Sequence, residues 1–124
     1  MTESRSLSIL IVDDEEFVRR LLTTLLSAKY RCVSASNANE ALAEMETAPF
    51  DLVVTDIMMP GITGLELCEK VRKLYPHTQI VIISALADSG NREAARQRGA
   101  VGFIEKPFDL SLVQKVVDAA LGSA

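Results

Sequence analysis

Five short, almost unbroken apolar runs recur along the chain, each separated from the next by a longer stretch whose apolar residues return at helical spacing. The runs are Ser8 to Val12, Arg31 to Ala35, Leu52 to Thr55, Gln79 to Ile83 and Val101 to Glu105. Strands that are nearly continuous in apolar character need cover on both faces, and strands joined through helices run parallel. The pattern therefore predicts an α/β domain, a doubly wound five-stranded parallel sheet with helices on both faces. Right-handed crossovers leave few strand orders open to such a sheet.

The connecting segments carry their own start and stop signals. Phe17, Val18, Leu21, Leu22, Leu25 and Leu26 form one helical stripe ending near Lys29. Asn37 with Glu40 three places on resembles a capping pair for a helix bearing Ala41, Leu42 and Met45, which must stop before Pro49. A helix from about Gly64 buries Leu65, Leu67 or Cys68, Val71 and Leu74 and ends at Pro76. Residues Ser89 to Arg98 favour helix but offer only Ala94 and Ala95 to a core, so this helix is expected to be weakly held. Asp109 caps a last helix with the stripe Leu112, Val113, Val116, Val117, Ala120 and Leu121.

At 124 residues the chain has room for one core and not two, and 48% hydrophobic residues are enough to build it without staples. The expected layout is a short tail at 1–6, one domain at 7–121 and a tail at 122–124. Thirteen Lys and Arg against 17 Asp and Glu give a formal charge of -4, which opposes binding a polyanion, so no direct nucleic-acid partner is expected. The apolar runs fall far short of the roughly 20 residues of a membrane helix, and the start carries no secretory pattern. A cytoplasmic address and no membrane partner follow as expectations. Cys32 and Cys68 lie far apart and His77 is the only histidine, so a zinc cluster is excluded and both cysteines read as reduced, buried thiols.

In open parallel sheets ligands gather at the carboxyl ends of the strands. The first strand runs into Asp13, Asp14 and Glu15, the third into Asp56 and the fourth into Ser84, while Lys106 follows the fifth. Four carboxylates collected in one crevice repel one another unless a counter-charge joins them. Oxygen donors without imidazole or thiolate suit Mg²⁺, or Mn²⁺, and Lys106 adds a fixed positive charge for an anionic group. Each residue alone reads equally well as a helix start, a turn cap or a surface side chain. Their joint placement points to chemistry.

These residues resemble the receiver domain of bacterial two-component response regulators, the chemotaxis-regulator-like fold. The matching segments are Ile9 to Asp14, Asp56 to Gly61 with Gly64, Ile82 to Ala85, and Gly99-Ala100 leading to Lys106-Pro107-Phe108, so that the likeness spans residues 7 to 121. It implies the flavodoxin-like strand order 2-1-3-4-5. It also implies that Asp56 accepts a phosphoryl group from a sensor histidine kinase or histidine phosphotransfer protein, with self-catalysed phosphorylation and dephosphorylation and no turnover of other substrates. The implied metal site has Asp14 as direct ligand of Mg²⁺, Asp13 acting through water, Asp56 shared with the phosphoryl group, and the Met58 backbone carbonyl. Lys106 then pairs with Asp56 at rest and with a phosphoryl oxygen afterwards, and Ser84 donates its hydroxyl to another oxygen.

The same resemblance implies a switch. Ser84 and its loop are drawn inward, and Phe103, three before the lysine, rotates into the space released. Phe103 lacks the hydroxyl of the tyrosine often found there. The output surface for a downstream protein or linked effector is then the Ser89–Arg98 helix, strand five and the final helix, on a monomer or a phosphorylation-dependent dimer. Met58 and Leu86 occupy the family's lifetime-tuning positions, and their apolar character implies slow loss of the phosphoryl group. The Lys106-Pro107 bond is cis in the family, although only roughly 5% of X–Pro bonds are. With no effector domain after Leu121, the chain reads as a stand-alone regulator or a receiver from a longer protein. The rivals are a receiver that binds partners unphosphorylated, a Mg²⁺-dependent aspartyl phosphatase, which wants a second Asp where Met58 stands, and a flavin or dinucleotide binder, which the acidic loop after strand one would repel.

Overall fold

A computed structural model describes residues 6–122, so the expected tails fall outside the described residues apart from Ser6 and Gly122. The elements alternate: β1 (Ser8–Val12), α1 (Glu16–Leu26), β2 (Arg31–Ala35), α2 (Ala38–Thr47), β3 (Leu52–Thr55), α3 (Gly64–Leu74), β4 (Gln79–Ser84), α4 (Ser89–Gln97), β5 (Gly102–Glu105) and α5 (Leu110–Ala120). All strand pairings are parallel and the order is β2-β1-β3-β4-β5, as the family resemblance implied.

The continuous apolar runs have the burial that they predict. Every residue of β1 and β3 is buried, and so is all of β4 after Gln79. Successive side chains of a strand point to opposite faces, and this divides the core in two. Leu10, Val12, Val53, Ile80 and Ile82 meet Ala41, Met45, Leu67, Val71 and Ala95 from α2, α3 and α4. Ile9, Ile11, Leu52, Val54, Val81 and Ile83 meet Val18, Leu22, Leu26, Val113 and Val117 from α1 and α5.

The helical stripes are narrower than the sequence suggests. Phe17 is 75% exposed and Leu74 59%, and Leu112 is also exposed, because a helix lying on a sheet buries one line of side chains: Val18, Leu22 and Leu26 in α1, Val113 and Val117 in α5. Val101 is likewise exposed, leaving β5 to start at Gly102. β4 runs one residue further than expected, since Ser84 still pairs with Glu105. Asn37 caps α2 by accepting from Glu40 N, but the Glu40 carboxylate turns to the Ser36 N–H and hydroxyl. The reciprocal capping box is at Thr63 and Glu66, opening α3. Helix α4 buries only Ala95, in line with its weak apolar face. Both cysteines are free thiols; Cys68 is buried, whereas Cys32, on edge strand β2, is half-buried. Among the described residues no helix is long and apolar enough to cross a membrane.

Candidate functional site

Because the strands are parallel, their carboxyl ends open on one edge of the sheet. The backbone ladder continues one residue past β1, β3 and β5: Asp13 N donates to Ala35 O at 3.1 Å, Asp56 N to Val12 O at 3.1 Å and Lys106 N to Ser84 O at 2.9 Å. Asp13, Asp56 and Lys106 are thereby held by strand geometry rather than by loops. Asp13 and Ser84 are wholly buried and Asp56 is 6% exposed.

At the centre is Lys106. Its ammonium donates to Asp56 Oδ2 at 2.7 Å, Asp13 Oδ2 at 2.9 Å and Glu15 Oε1 at 3.1 Å, one carboxylate for each N–H it carries. The second carboxylate oxygens are also engaged, Asp13 Oδ1 by Glu15 N at 2.9 Å and Asp56 Oδ1 by Met58 N at 3.2 Å. Burial pushes the Asp13 carboxyl above its ordinary value, although Glu15 N–H and Lys106 pull the other way. Burial also works against the Lys106 ammonium, but its hydrogen bonds to Asp56, Asp13 and Glu15 outweigh it and hold the lysine above its ordinary value. The Lys106-Pro107 bond is cis.

Carboxylate oxygens of Asp13, Glu15 and Asp56 lie within 4.8 Å of one another. Three acids share one ammonium, so the ionised cluster keeps excess negative charge. An all-oxygen donor set with that excess fits a hard divalent cation. Asp14 is exposed and outside this group, and Glu15 stands in it. The chain bends at Asp14 and is extended at Glu15, where α1 is about to start, and it is the Glu15 carboxylate that comes within reach of Lys106. The spacing of an acidic triplet was the signal that could have singled out Glu15.

Two further features were missed or underweighted by sequence reasoning. Gly64 does more than open α3: a Cβ there would lie 1.8 Å from the Asp56 carbonyl oxygen, so the helix can approach the Asp56 backbone only without a side chain. Arg92 has its guanidinium carbon 4.8 Å from the centroid of the Phe103 ring. Phe103 itself is half-buried against the α2–α4 core. The Ser84 hydroxyl accepts from Leu86 N at 3.1 Å, Leu86 is half-buried, and Met58 is 64% exposed.

Residues 9–118 match the family described as the response regulator receiver domain. The chain belongs to that family. Among relatives, it is 36% identical to the transcriptional regulatory protein ResD of Bacillus subtilis, over 100% of this chain and 52% of that protein. It is 37% identical to the response regulator protein PilR of Pseudomonas aeruginosa, over 90% of this chain and 25% of that protein. It thus spans between a quarter and a half of the length of these relatives. The chemotaxis protein CheY4 of Vibrio cholerae superposes with a TM-score of 0.89 at 29% identity, covering 94% of this chain and 100% of that one. Receiver domains are signalling modules of two-component systems that interact with histidine kinases and effector domains, and the crevice of Asp13, Asp56, Ser84 and Lys106 lies where a doubly wound sheet collects its ligands.

Proposed function

We propose that this receiver accepts a phosphoryl group on Asp56 and relays it as a change of surface shape. The observation that carries the reading is the Lys106 ammonium held between Asp56 and Asp13 in a buried crevice, a fixed cation beside a carboxylate that has to meet an anion. An Asp56 oxygen attacks phosphorus, the bond to the donor imidazole nitrogen breaks, and its electron pair stays on that nitrogen, giving an acyl phosphate. The donor is a sensor histidine kinase or histidine phosphotransfer protein. Lys106 follows the added charge from the carboxylate to a phosphoryl oxygen, a charge-assisted hydrogen bond, and the Ser84 hydroxyl, whose oxygen accepts from Leu86 N at rest, donates its proton to another such oxygen.

Mg²⁺, or Mn²⁺, is the proposed cofactor: Asp13, Asp56 and the Met58 backbone carbonyl would hold it, with Asp14 joining them by turning its exposed side chain inward, and it would supply charge cancellation for the acids and the incoming phosphoryl group. The acyl phosphate carries about 1.5 to 2 negative charges in place of the carboxylate's one, with new acceptor oxygens, which draws in Ser84 and leaves room for Phe103 beneath the loop. Output passes through α4, β5 and α5 to a downstream protein or a linked effector, from a cytoplasmic molecule that is monomeric or pairs on phosphorylation. The name of ResD, a transcriptional regulatory protein that this chain matches over 52% of its length, makes a transcriptional output in a longer chain a natural extension.

Incubation with acetyl phosphate and Mg²⁺ followed by intact mass tests the reading. One added phosphoryl group, absent in Asp56→Asn and without Mg²⁺, is the expected result. An unmodified wild type under the same conditions refutes it and leaves partner binding without phosphorylation as the function.

A further inference from the structure

Helix α4 is a poorly anchored element at a place where the proposed switch needs something to move. Ala95 is the one residue of the helix that is buried. Its carboxyl end is tied to α3 by polar links, Arg98 Nε to Glu69 Oε2 at 2.7 Å and Arg72 NH1 to Gln97 O at 2.9 Å. Its amino end is capped by Asp88, which accepts from Asn91 N at 2.9 Å. Between these ends, the Arg92 side chain connects α4 by polar contacts to the parts of the site that must rearrange. Arg92 Nε donates to Ala87 O at 2.8 Å, on the loop that leaves Ser84. Arg92 NH2 lies 3.4 Å from Glu105 Oε1, on the strand residue paired with Ser84 and directly before Lys106. The guanidinium plane also sits over the Phe103 ring.

We propose that Arg92 is a latch that holds the receiver in its resting arrangement, through the Ala87 carbonyl, Glu105 and the face of Phe103. This inference rests on the phosphorylation reading above and names how that site is regulated. The physical argument is one of differential interaction. Drawing Ser84 towards a phosphoryl group on Asp56 shifts the short loop to Ala87 and strains the bond from Arg92 Nε. Turning Phe103 inward takes its ring from under the guanidinium. Both movements lose interactions that exist only in the resting state, so Arg92 biases the equilibrium against activation. A cation–π pair and a half-exposed ion pair, each modest by itself, together correspond to a bias of about 3- to 10-fold. The ordinary alternative is that Arg92 only stabilises the amino-terminal turn of α4.

The test uses the whole chain and beryllofluoride with Mg²⁺ as a phosphoryl mimic. Amide ¹⁵N shifts of Leu86, Ala87 and Gly102 to Glu105 are recorded for wild type with and without the mimic, which defines a line from resting to switched. In mimic-free Arg92→Ala these amides are expected to move part-way along that line, and phosphorylation by acetyl phosphate is expected to quicken about 3- to 10-fold. Arg92→Lys, which keeps the charge but not the planar fork, should fall between, and Glu105→Gln should move the same way by less. Shifts that stay at the wild-type resting position, or leave the line, with an unchanged phosphorylation rate, overturn the latch and leave the phosphorylation reading intact. A wild type that does not respond to the mimic at all overturns both. Arg92→Lys and Glu105→Gln carry the same readout if Arg92→Ala fails to fold.

Discussion

Replacing Gly64 with alanine tests how the site is positioned more sharply than any change to a charged residue. In an α-helix the swap normally stabilises, because alanine is favoured over glycine by up to about 1 kcal/mol. At Gly64 the new Cβ would sit 1.8 Å from the Asp56 carbonyl oxygen, 2.7 Å from its carbonyl carbon and 2.8 Å from Ile57 Cα. All three are backbone atoms and cannot swing aside, so opening the contact even to 3.0 Å separates α3 from the end of β3 by more than an ångström. That movement also strains the bond from Gly64 N to Ile57 O, 2.9 Å long and worth about 0.5–1.5 kcal/mol. With an overpacking cost of about 1–3 kcal/mol, the net expectation is a loss of about 2 kcal/mol after the gain in helix propensity. In a domain of this size that lowers Tm by roughly 6–10 °C. Asp56 moves with its backbone, and a displacement of about 1 Å costs on the order of 100-fold in a positioned reaction. Urea denaturation gives the first number and the rate of phosphorylation by acetyl phosphate the second. Gly90→Ala, where the nearest atom is the Asp88 side-chain oxygen at 3.3 Å, should leave stability unchanged or slightly raised. A Gly64→Ala protein as stable and as quickly phosphorylated as wild type refutes the argument.

Burial pushes the Cys68 thiol up to about 12 from an ordinary 9.0, so the unfolded chain loses that proton first and stability falls as pH rises from 9 towards 12. Between pH 8 and 10 this contributes a loss of about 1.4 kcal/mol, and urea denaturation of Cys68→Ala at the two pH values should show a drop smaller by that amount; an identical drop counts against it. Asp13, also held above its ordinary 3.8 by burial, is tolerated as an anion less well in the folded than in the unfolded chain, so its ionisation removes stability as pH rises through the raised value. Asp13→Asn is therefore expected to melt above wild type at pH 7 in EDTA, and a lower Tm would falsify that attribution. Met58 and Leu86 cannot hydrogen-bond a hydrolytic water, so the acyl phosphate of the wild type should decay more slowly than that of Met58→Asn, Leu86→Glu; equal decay, followed by intact mass, removes the idea.

Much of the candidate site was readable in the amino-acid sequence. Asp13, Asp56, Ser84 and Lys106 each end an apolar run, and a parallel sheet leaves its strand ends nowhere to go but one edge. What misled was the use of periodicity for burial: Phe17, Leu74 and Leu112 continue their stripes in sequence but are exposed, since a helix on a sheet buries a narrower line of side chains. Glu15 and Asp14 could not be told apart as neighbours in an acidic run. Which of them reaches Lys106 is set by where the lysine arrives from the end of β5, and it meets Glu15 Oε1 at 3.1 Å.

The amino-acid order by itself determined the alternation of elements, the double cover of the sheet and the set of polar residues delivered to its carboxyl edge. Those follow from local spacing and from the need to bury each run on both faces. Only the tertiary structure decided that one ammonium is shared by Asp13, Glu15 and Asp56, that Gly64 lies against the Asp56 backbone, and that Arg92 bridges a loop, a ring and a strand. Such contacts join residues up to 93 positions apart, and even the shorter ones cross from one element to another, so their geometry is set by how helices settle on a twisted sheet, which no local pattern encodes.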